Sequence, residues 1–335
     1  MVRSAAGTVL VCAVEGTKLS SEEESFFRRV APSGVTIFGR NCPPGSDLRD
    51  LIRTLQSTRP SGAPPLVVAI DQEGGRVARL KAPFPNPGPA ASLAGGGDSV
   101  SALAQIRGIA QDVGSELASL GINVNFAPVC DVLTEATNTA IGDRAFGVTP
   151  DSVTSRAGSF LEGLHEAGVL GCLKHFPGQG AATVDTHVGG ATVALSRHEL
   201  EQTHLPPFRS LLPFAPMVMI SHCIYPALGP GEASSSKAII TGLLKDELGY
   251  NGVVVSDDMN MGAVPQDPAH WQDAIINSVA AGVDMVLVCR HLERYELAHE
   301  ALTREASRSS AFRERLEDAA SRMTSMRKHL RPLSV

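Results

Sequence analysis

The sequence predicts an α/β fold, a single TIM-type (β/α)8 barrel, for three reasons. Eight short apolar runs occur along the chain, segments with helical periodicity separate them, and polar side chains follow most of the runs. The runs lie near Val9, Val35, Leu66, Val124, Gly168, Met217, Val253 and Met285. Parallel barrel strands all point the same way, so polar groups after each strand would gather at one mouth. An open α/β sheet is the competing arrangement, and the count of eight favours the barrel.

Helical periodicity and chain length complete this prediction. Residues 21–30 and 48–55 have helical spacing of apolar positions. A chain of 335 residues without a Pro/Ser-rich linker fits one barrel with inserted loops, so we expect one catalytic domain over residues 1–335. The helical stretch after Thr303, ending with residues 323–330, is expected to be an extra C-terminal helix packed on the outside. The prediction includes an irregular version of this barrel.

Composition and charge restrict the class of protein. A hydrophobic fraction of 43% suffices for a large core, and a formal net charge of -6 argues against a nucleic-acid partner. Six cysteines without any Cys-x-x-Cys spacing predict reduced thiols and a cytoplasmic protein, and most of them fall in or beside apolar runs. The apolar run at the N-terminus is too short for a membrane span and is interrupted by Glu15, so we expect a first strand and not a signal peptide. We expect a monomer without cofactor or metal.

Three polar clusters carry the candidate chemistry. One begins at Asp71 after an apolar run, a second is Lys174-His175, and a third is Ser256-Asp257-Asp258. Shortly after the second cluster comes Asp185-Thr186-His187, in which a carboxylate two residues before an imidazole can hold one ring nitrogen and orient the other. This spacing is typical of a positioned acid or base.

With these motifs in view, the chain resembles the family 3 glycoside hydrolases, in particular the bacterial single-domain β-N-acetylglucosaminidases of the NagZ type. Five ordered motifs carry the resemblance: residues 71–77, 126–132, 174–178, 185–187 and 256–259. The resemblance implies a barrel enzyme that removes terminal N-acetylglucosamine with retention, through a covalent glycosyl-enzyme. It also implies a substrate from peptidoglycan recycling, N-acetylglucosamine linked to anhydro-N-acetylmuramic acid with or without peptide.

The resemblance also assigns catalytic roles. Asp257 is expected to be the nucleophile and His187, positioned by Asp185, the acid/base. An adjacent carboxylate favours the imidazolium form, which keeps a proton available near neutral pH. For Asp258 a helix N-cap is the favoured interpretation, since acidic residues commonly accept N–H bonds where a helix begins.

Sugar recognition is assigned in the same way. The resemblance places Asp71, Arg79, Arg144, Lys174 and His175 around the sugar. A carboxylate accepts from hydroxyls, and cations supply charge-assisted bonds that discriminate against sugars lacking the partner group. Surface salt bridges are the alternative for the two arginines. Asp131 and His222 are expected to support the residues that touch the sugar.

The segment from Pro177 to Thr192 is longer than a typical connection between a barrel strand and its helix, and it differs from the family pattern at two positions. It is long and rich in Gly and Ala, so we expect a mobile loop that carries His187 into the site. Gln179 stands where family members usually have His, and it can bond but cannot titrate. Thr186 replaces the usual Ser. Activity is expected to survive, with loop closure the affected property.

Three other functions fit the same residues. A β-N-acetylglucosaminide phosphorylase would use phosphate in place of water, and a histidine acid/base makes that chemically reasonable. A metal-dependent barrel hydrolase would bind its metal through His175, Asp185, His187 and Asp257, although no His-x-His pair follows the first run. A catalytically silent sugar-binding barrel is the third, and the presence of both Asp257 and His187 argues against it.

Overall fold

The computed structural model describes residues 2–84, 86–183 and 190–331. Eight parallel strands form one sheet in which the barrel strands pair in chain order and the first pairs with the last. Backbone bonds from Ser256 N–H to the Met285 carbonyl and from Met285 N–H to the Val254 carbonyl join the seventh barrel strand to the eighth and close the ring. The predicted barrel is therefore confirmed.

Every predicted apolar run contains or adjoins a barrel strand. The barrel strands are β1 (Leu10–Cys12), β2 (Gly34–Ile37), β3 (Val67–Ile70), β6 (Val124–Asn125), β7 (Leu170–Phe176), β8 (Met217–Ile220), β9 (Val253–Ser256) and β10 (Val286–Leu287). A small antiparallel hairpin follows β3 and consists of β4 (Gln72–Gly74) and β5 (Val77–Ala78). Lys174 and His175 lie within β7, whereas the sequence predicted that the strand ends before them.

Helices surround the barrel. They are α1 (Val2–Thr8), α2 (Ser21–Val30), α3 (Leu48–Ser57), α4 (Ala90–Leu93), α5 (Val100–Leu120), α6 (Pro150–Glu166), α7 (Arg197–Glu199), α8 (Leu205–Leu211), α9 (Pro268–Ala281), α10 (Leu292–Arg308) and α11 (Ser310–Arg327). Two π-helical segments, Leu200–His204 and Ala238–Glu247, complete the larger helical elements. None of the helices in the described part of the chain is long and apolar enough to cross a membrane.

Alternation along the strands fills two hydrophobic layers. In β3, Val67 and Ala69 point into the barrel while Val68 and Ile70 pack against the surrounding helices. The same period of two places small and medium apolar side chains from the other strands in the interior. The barrel is thus a packed core, and the polar residues of the site lie at or near the carboxyl ends of the strands.

The C-terminal helical region differs from the prediction of one helix on the outside. It consists of α10 and α11, with a break at Ser309, whose side chain caps α11 by accepting from the Phe312 N–H. Met323 and Met326 of α11 belong to the barrel-interior cluster, and Arg327 donates to the carbonyls of the residues just before β3. The last helix therefore covers the amino-terminal opening of the barrel, where its apolar end is buried against the interior residues.

Candidate active site

A cavity of about 420 Å³ opens at the carboxyl ends of the strands. Asp71, Arg79 and Asp257, all predicted site residues, line it together with Asp258. The three come from different strand ends, since Asp71 directly follows β3, Arg79 follows the hairpin and Asp257 follows β9. The barrel therefore brings together residues that are up to 186 positions apart (257 − 71).

Asp257 is held by its own loop. Its Oδ1 accepts a hydrogen bond from the Asp258 N–H at 2.8 Å, and its backbone N–H donates to the Ile220 carbonyl of β8 at 3.3 Å. These two bonds fix the direction of the carboxylate. Its remaining acceptor capacity is directed at the cavity that Asp257 lines.

Asp258 supports this loop and is not a helix N-cap. The next helix, α9, begins ten residues later at Pro268 and is capped by Asp267. Asp258 Oδ1 instead accepts the N–H groups of Asn260 at 3.0 Å and Cys289 at 3.2 Å, which ties the β9 loop to the end of β10. The N-cap interpretation is therefore wrong in position, although the preference of Asp for backbone N–H groups was the correct physical reason.

The two aspartates differ in their electrostatics. Burial, and to a lesser extent the charge of the adjacent Asp257, raises the pKa of Asp258 to about 6 despite the hydrogen bond from the Asn260 N–H. Behind it, the buried His222 contacts the Asp258 carbonyl through Nε2 at 3.2 Å and the Ser234 hydroxyl through Nδ1 at 2.7 Å. Burial lowers the pKa of His222, which favours a neutral ring that donates at Nε2 and accepts at Nδ1.

We expect Asp258→Asn to gain stability relative to the wild type as pH rises from about 4 to about 7. The folded state binds the Asp258 proton more tightly than the unfolded state, so wild-type stability falls as pH rises from about 4 through about 6. The asparagine cannot ionise, and its advantage in free energy of unfolding should grow by about 1–3 kcal/mol between pH 4 and pH 7. Urea unfolding of both proteins across this range measures it. Parallel stability curves would contradict the expectation.

A buried ion-pair network forms the opposite side of the site. Lys174, only 2% exposed, donates to Asp71 at 2.9 Å and lies 2.5 Å from Glu73. Arg79 pairs with Asp71 at 3.1 Å, and Arg144 makes two bonds of 2.8 Å to Glu73. Three cations thus hold two carboxylates, which leaves an excess of one positive charge (3 − 2) in the network.

Charge pairing outweighs burial throughout this network. Burial alone would raise the pKa values of Asp71 and Glu73, but Lys174 with Arg79 or Arg144 holds both well below their usual range. Burial alone would lower the pKa of Lys174, and the two carboxylates raise it instead. Both acids and the lysine are therefore ionised at neutral pH, and their ion pairs fix the bond directions at the cavity.

His175 is positioned by Asp131, which also anchors the following loop. Asp131 is fully buried, and its Oδ2 accepts from His175 Nδ1 at 2.7 Å. Its Oδ1 accepts the Gln179 N–H at 2.7 Å, so one carboxylate connects the imidazole to the loop. The Gln179 side chain accepts from the Ser221 hydroxyl at 2.8 Å. At this position the glutamine makes a buried anchor that needs no titratable group.

The loop that follows β7 is attached at both ends. Gly180 packs so closely on the Val132 carbonyl that a Cβ would lie 1.8 Å from that oxygen, and only glycine fits there. At the other end, Ile224 N–H donates to the Ala191 carbonyl and Val193 N–H to the Ile224 carbonyl, at 2.8 and 2.9 Å. Both attachments lie at the carboxyl ends of the strands. Asp185 and His187 fall between them, outside the described residues.

The structure also reveals residues that sequence reasoning missed. Glu73 links Lys174 to Arg144, and its place in the Asp71 motif, two residues along, was the available signal. Arg144 is engaged by this pairing and is not among the residues that line the cavity. Asn260 and Arg290 line the cavity on the β9 and β10 side and were not singled out as site residues.

The four residues considered as metal ligands are only partly described. Asp185 and His187 lie outside the described ranges, while His175 engages Asp131 and Asp257 engages the Asp258 N–H. Within residues 2–84, 86–183 and 190–331, no three His, Cys, Asp or Glu side chains are grouped so that they could hold a metal ion.

Comparison with known proteins agrees with this geometry. The family model described as the glycosyl hydrolase family 3 N terminal domain matches residues 3–326. A protein named Beta-hexosaminidase from Alkalilimnicola ehrlichii is 38% identical over 292 residues, covering 85% of this chain and 81% of the relative.

Two solved structures extend the comparison. A family 3 β-N-acetylglucosaminidase from Paenibacillus superposes with a TM-score of 0.90 at 32% identity, covering 98% of this chain and 62% of that longer one. NagZ from Neisseria gonorrhoeae, in complex with N-trifluoroacetyl-D-glucosamine, gives a TM-score of 0.77 at 26% identity. The match covers 95% of this chain and 98% of that one. The family resemblance inferred from the motifs is confirmed. The chain is a glycoside hydrolase and belongs to glycoside hydrolase family 3.

Proposed function

We propose that this protein is a single-domain, retaining exo-β-N-acetylglucosaminidase that acts on peptidoglycan fragments. Its substrate is N-acetylglucosamine linked to anhydro-N-acetylmuramic acid, with or without peptide, during cell-wall recycling in the cytoplasm. The names of the related proteins, β-hexosaminidase and β-N-acetylglucosaminidase, support the sugar. Six free cysteines support a reducing compartment.

The observation that carries the proposal is the placement of Asp257. Its fixed carboxylate lines a cavity whose other side holds Asp71 and Arg79, backed by Lys174. Asp71 and Arg79 can bind sugar hydroxyls and lie across the barrel mouth from the Asp257 carboxylate. This arrangement suits attack of the carboxylate on the anomeric carbon of the bound sugar. In the proposed mechanism Asp257 forms a covalent glycosyl-enzyme, which water then hydrolyses.

The acid/base role is proposed for His187, positioned by Asp185. The spacing in the sequence supports this pair, because a carboxylate two residues before an imidazole can hold one ring nitrogen and orient the other. We propose that its imidazolium protonates the leaving oxygen and that the neutral ring later accepts a proton from water.

His187→Ala is expected to slow substrates unequally. Turnover of natural disaccharides with a poor leaving group should fall by about 10²–10⁴-fold, because departure of the alkoxide needs a proton. A 2,4-dinitrophenyl glycoside needs little protonation and should lose far less in the glycosylation step. Measuring kcat/KM for both substrates in wild type and variant tests the role. Equal losses on both would count against it.

Sugar identity and acceptor are tested with the wild-type enzyme. Aryl β-N-acetylglucosaminide should be turned over faster than the matching aryl β-glucoside, and preference for the glucoside would overturn the acetamide assignment. The same reaction in phosphate buffer should yield free N-acetylglucosamine. Accumulation of its 1-phosphate would replace the hydrolase proposal with the phosphorylase.

A further inference from the structure

The cavity has a second wall with its own polar chemistry. We define the Arg290 wall as Asn260, Met261, Gly262 and Arg290, which follow β9 and β10. In the ring of eight strands β3 is third and β9 seventh, so this wall lies across the mouth from Asp71 and Arg79. The mechanism described above does not use it.

Hydrogen-bond donors on this wall are left available. Asn260 Oδ1 accepts the Cys289 N–H at 3.0 Å, which fixes the amide and leaves its Nδ2 donor without an acceptor among residues 2–84, 86–183 and 190–331. Arg290 is exposed, and no described carboxylate lies within 4.0 Å of its guanidinium. Thr36 also lines the cavity, and its hydroxyl, buried at 1% exposure, has no hydrogen-bond partner among the described residues.

Neighbouring cations are engaged elsewhere. Arg79 pairs with Asp71, while Arg40 donates to the carbonyls of Val14 and Cys289. Arg290 is therefore the cavity-lining cation that remains without an ion pair in the described part of the chain. A guanidinium offers paired N–H groups that match a carboxylate, and such charge-assisted bonds are stronger than neutral ones.

We propose that the Arg290 wall binds an acidic group on the leaving-group side of the substrate. This inference rests on the proposed function, because the anomeric carbon must lie at Asp257 while the sugar hydroxyls meet Asp71 and Arg79. What extends past the anomeric carbon then reaches the side of β9 and β10. Asp257 and Asp258 would repel an anionic leaving group there, and the Arg290 charge offsets that repulsion.

The test uses two substrates that differ only in charge. They are N-acetylglucosaminyl-anhydro-N-acetylmuramic acid and the same disaccharide with its lactyl carboxylate converted to a methyl amide. In Arg290→Gln, kcat/KM for the acid should fall by about tenfold, mainly through KM, while that for the amide should change less than about twofold. Arg290→Lys should restore part of the loss.

A matched control separates local binding from general charge. Arg49→Gln removes one exposed positive charge at the start of α3, outside this cavity, and should leave the ratio of acid to amide turnover unchanged. Raising salt from 0.05 to 0.5 M, about a tenfold change, should reduce the acid preference of wild type more than that of Arg290→Gln.

Several outcomes would overturn the inference. Equal losses of kcat/KM on the acid and amide substrates in Arg290→Gln would mean that Arg290 acts through the charges of Asp257 and Asp258. An increased KM of this variant for an aryl N-acetylglucosaminide would place the acetamide carbonyl on this wall instead. An unchanged acid-to-amide ratio in Arg290→Gln would remove the wall as a subsite. If wild type failed to cleave any N-acetylglucosaminide, the proposed function itself would fail, a result distinct from an altered ratio.

Discussion

Asp257→Ala is expected to lower turnover of aryl β-N-acetylglucosaminides by about 10⁴-fold or more, since nucleophile removal in covalent catalysis typically costs this much. The lost group is the carboxylate that the Asp258 N–H fixes at the cavity wall. Asp258→Asn is the matched control because it changes the adjacent acid and keeps an oxygen for the N–H groups of Asn260 and Cys289. Turnover of the same substrates by Asp258→Asn should fall by less than about tenfold.

Chemical rescue separates a nucleophile from a structural role. With a 2,4-dinitrophenyl substrate, azide should fill the space of the missing carboxylate in Asp257→Ala, attack the anomeric carbon on that face and release the α-glycosyl azide. If Asp257 had only a structural role, azide would not restore the turnover of Asp257→Ala and no product of inverted configuration would form. Retention of more than about one hundredth of wild-type turnover in Asp257→Ala would contradict the assignment.

The second large effect is expected from Lys174→Met. This change leaves Asp71 and Glu73 buried together without the cation between them, although each keeps one arginine. Removing one partner of a buried charge network typically costs about 3–5 kcal/mol, and we expect this loss in the free energy of unfolding at pH 7. Sugar binding should weaken as well, because Asp71 loses its fixed direction. Urea unfolding measures the loss of stability.

The pH dependence of this loss identifies its cause. Pairing lowers the pKa values of Asp71 and Glu73, so its stabilisation is present above their ordinary values near 4 and is lost as pH falls through the lower folded values. The gap between wild type and Lys174→Met should narrow below about pH 4. Lys245→Met is a control and should cost clearly less, because Lys245 contacts only one described carboxylate, Asp284, at 3.4 Å, whereas Lys174 contacts two at shorter distances. A pH-independent loss would point to packing.

Much of the fold could be predicted because its cause is local. A barrel strand is buried on both faces, so runs such as 67–70 and 253–255 are continuously apolar, and their number and order follow from reading along the chain. The polar residues that follow most of the runs mark the mouth. The interior position of Met323 could not be read in this way, because an amphipathic helix does not reveal which apolar surface it covers.

Asp71, Arg79 and Asp257 were expected in the site and line one cavity, whereas the contacts between the site residues could not be predicted. Asp71 and Lys174 were both expected near the sugar, yet their ion pair joins positions 103 apart and depends on the barrel register. Arg144 was expected at the mouth, but Glu73 engages it and it is not among the residues that line the cavity. Asp258 accepts a hydrogen bond from the Cys289 N–H at the end of β10, a contact that no local sequence pattern predicts. The roles given to His187 and Asp185 stay predictions.

The most direct measurement of the central claim is the mass of the trapped enzyme. A 5-fluoro N-acetylglucosaminyl fluoride forms the glycosyl-enzyme faster than it is hydrolysed, so the intact protein should gain one fluorosugar. Peptide sequencing should place the added mass on Asp257, and Asp257→Asn should gain none. An adduct on another residue, or rapid turnover with inverted product and no adduct, would contradict the mechanism proposed for this barrel.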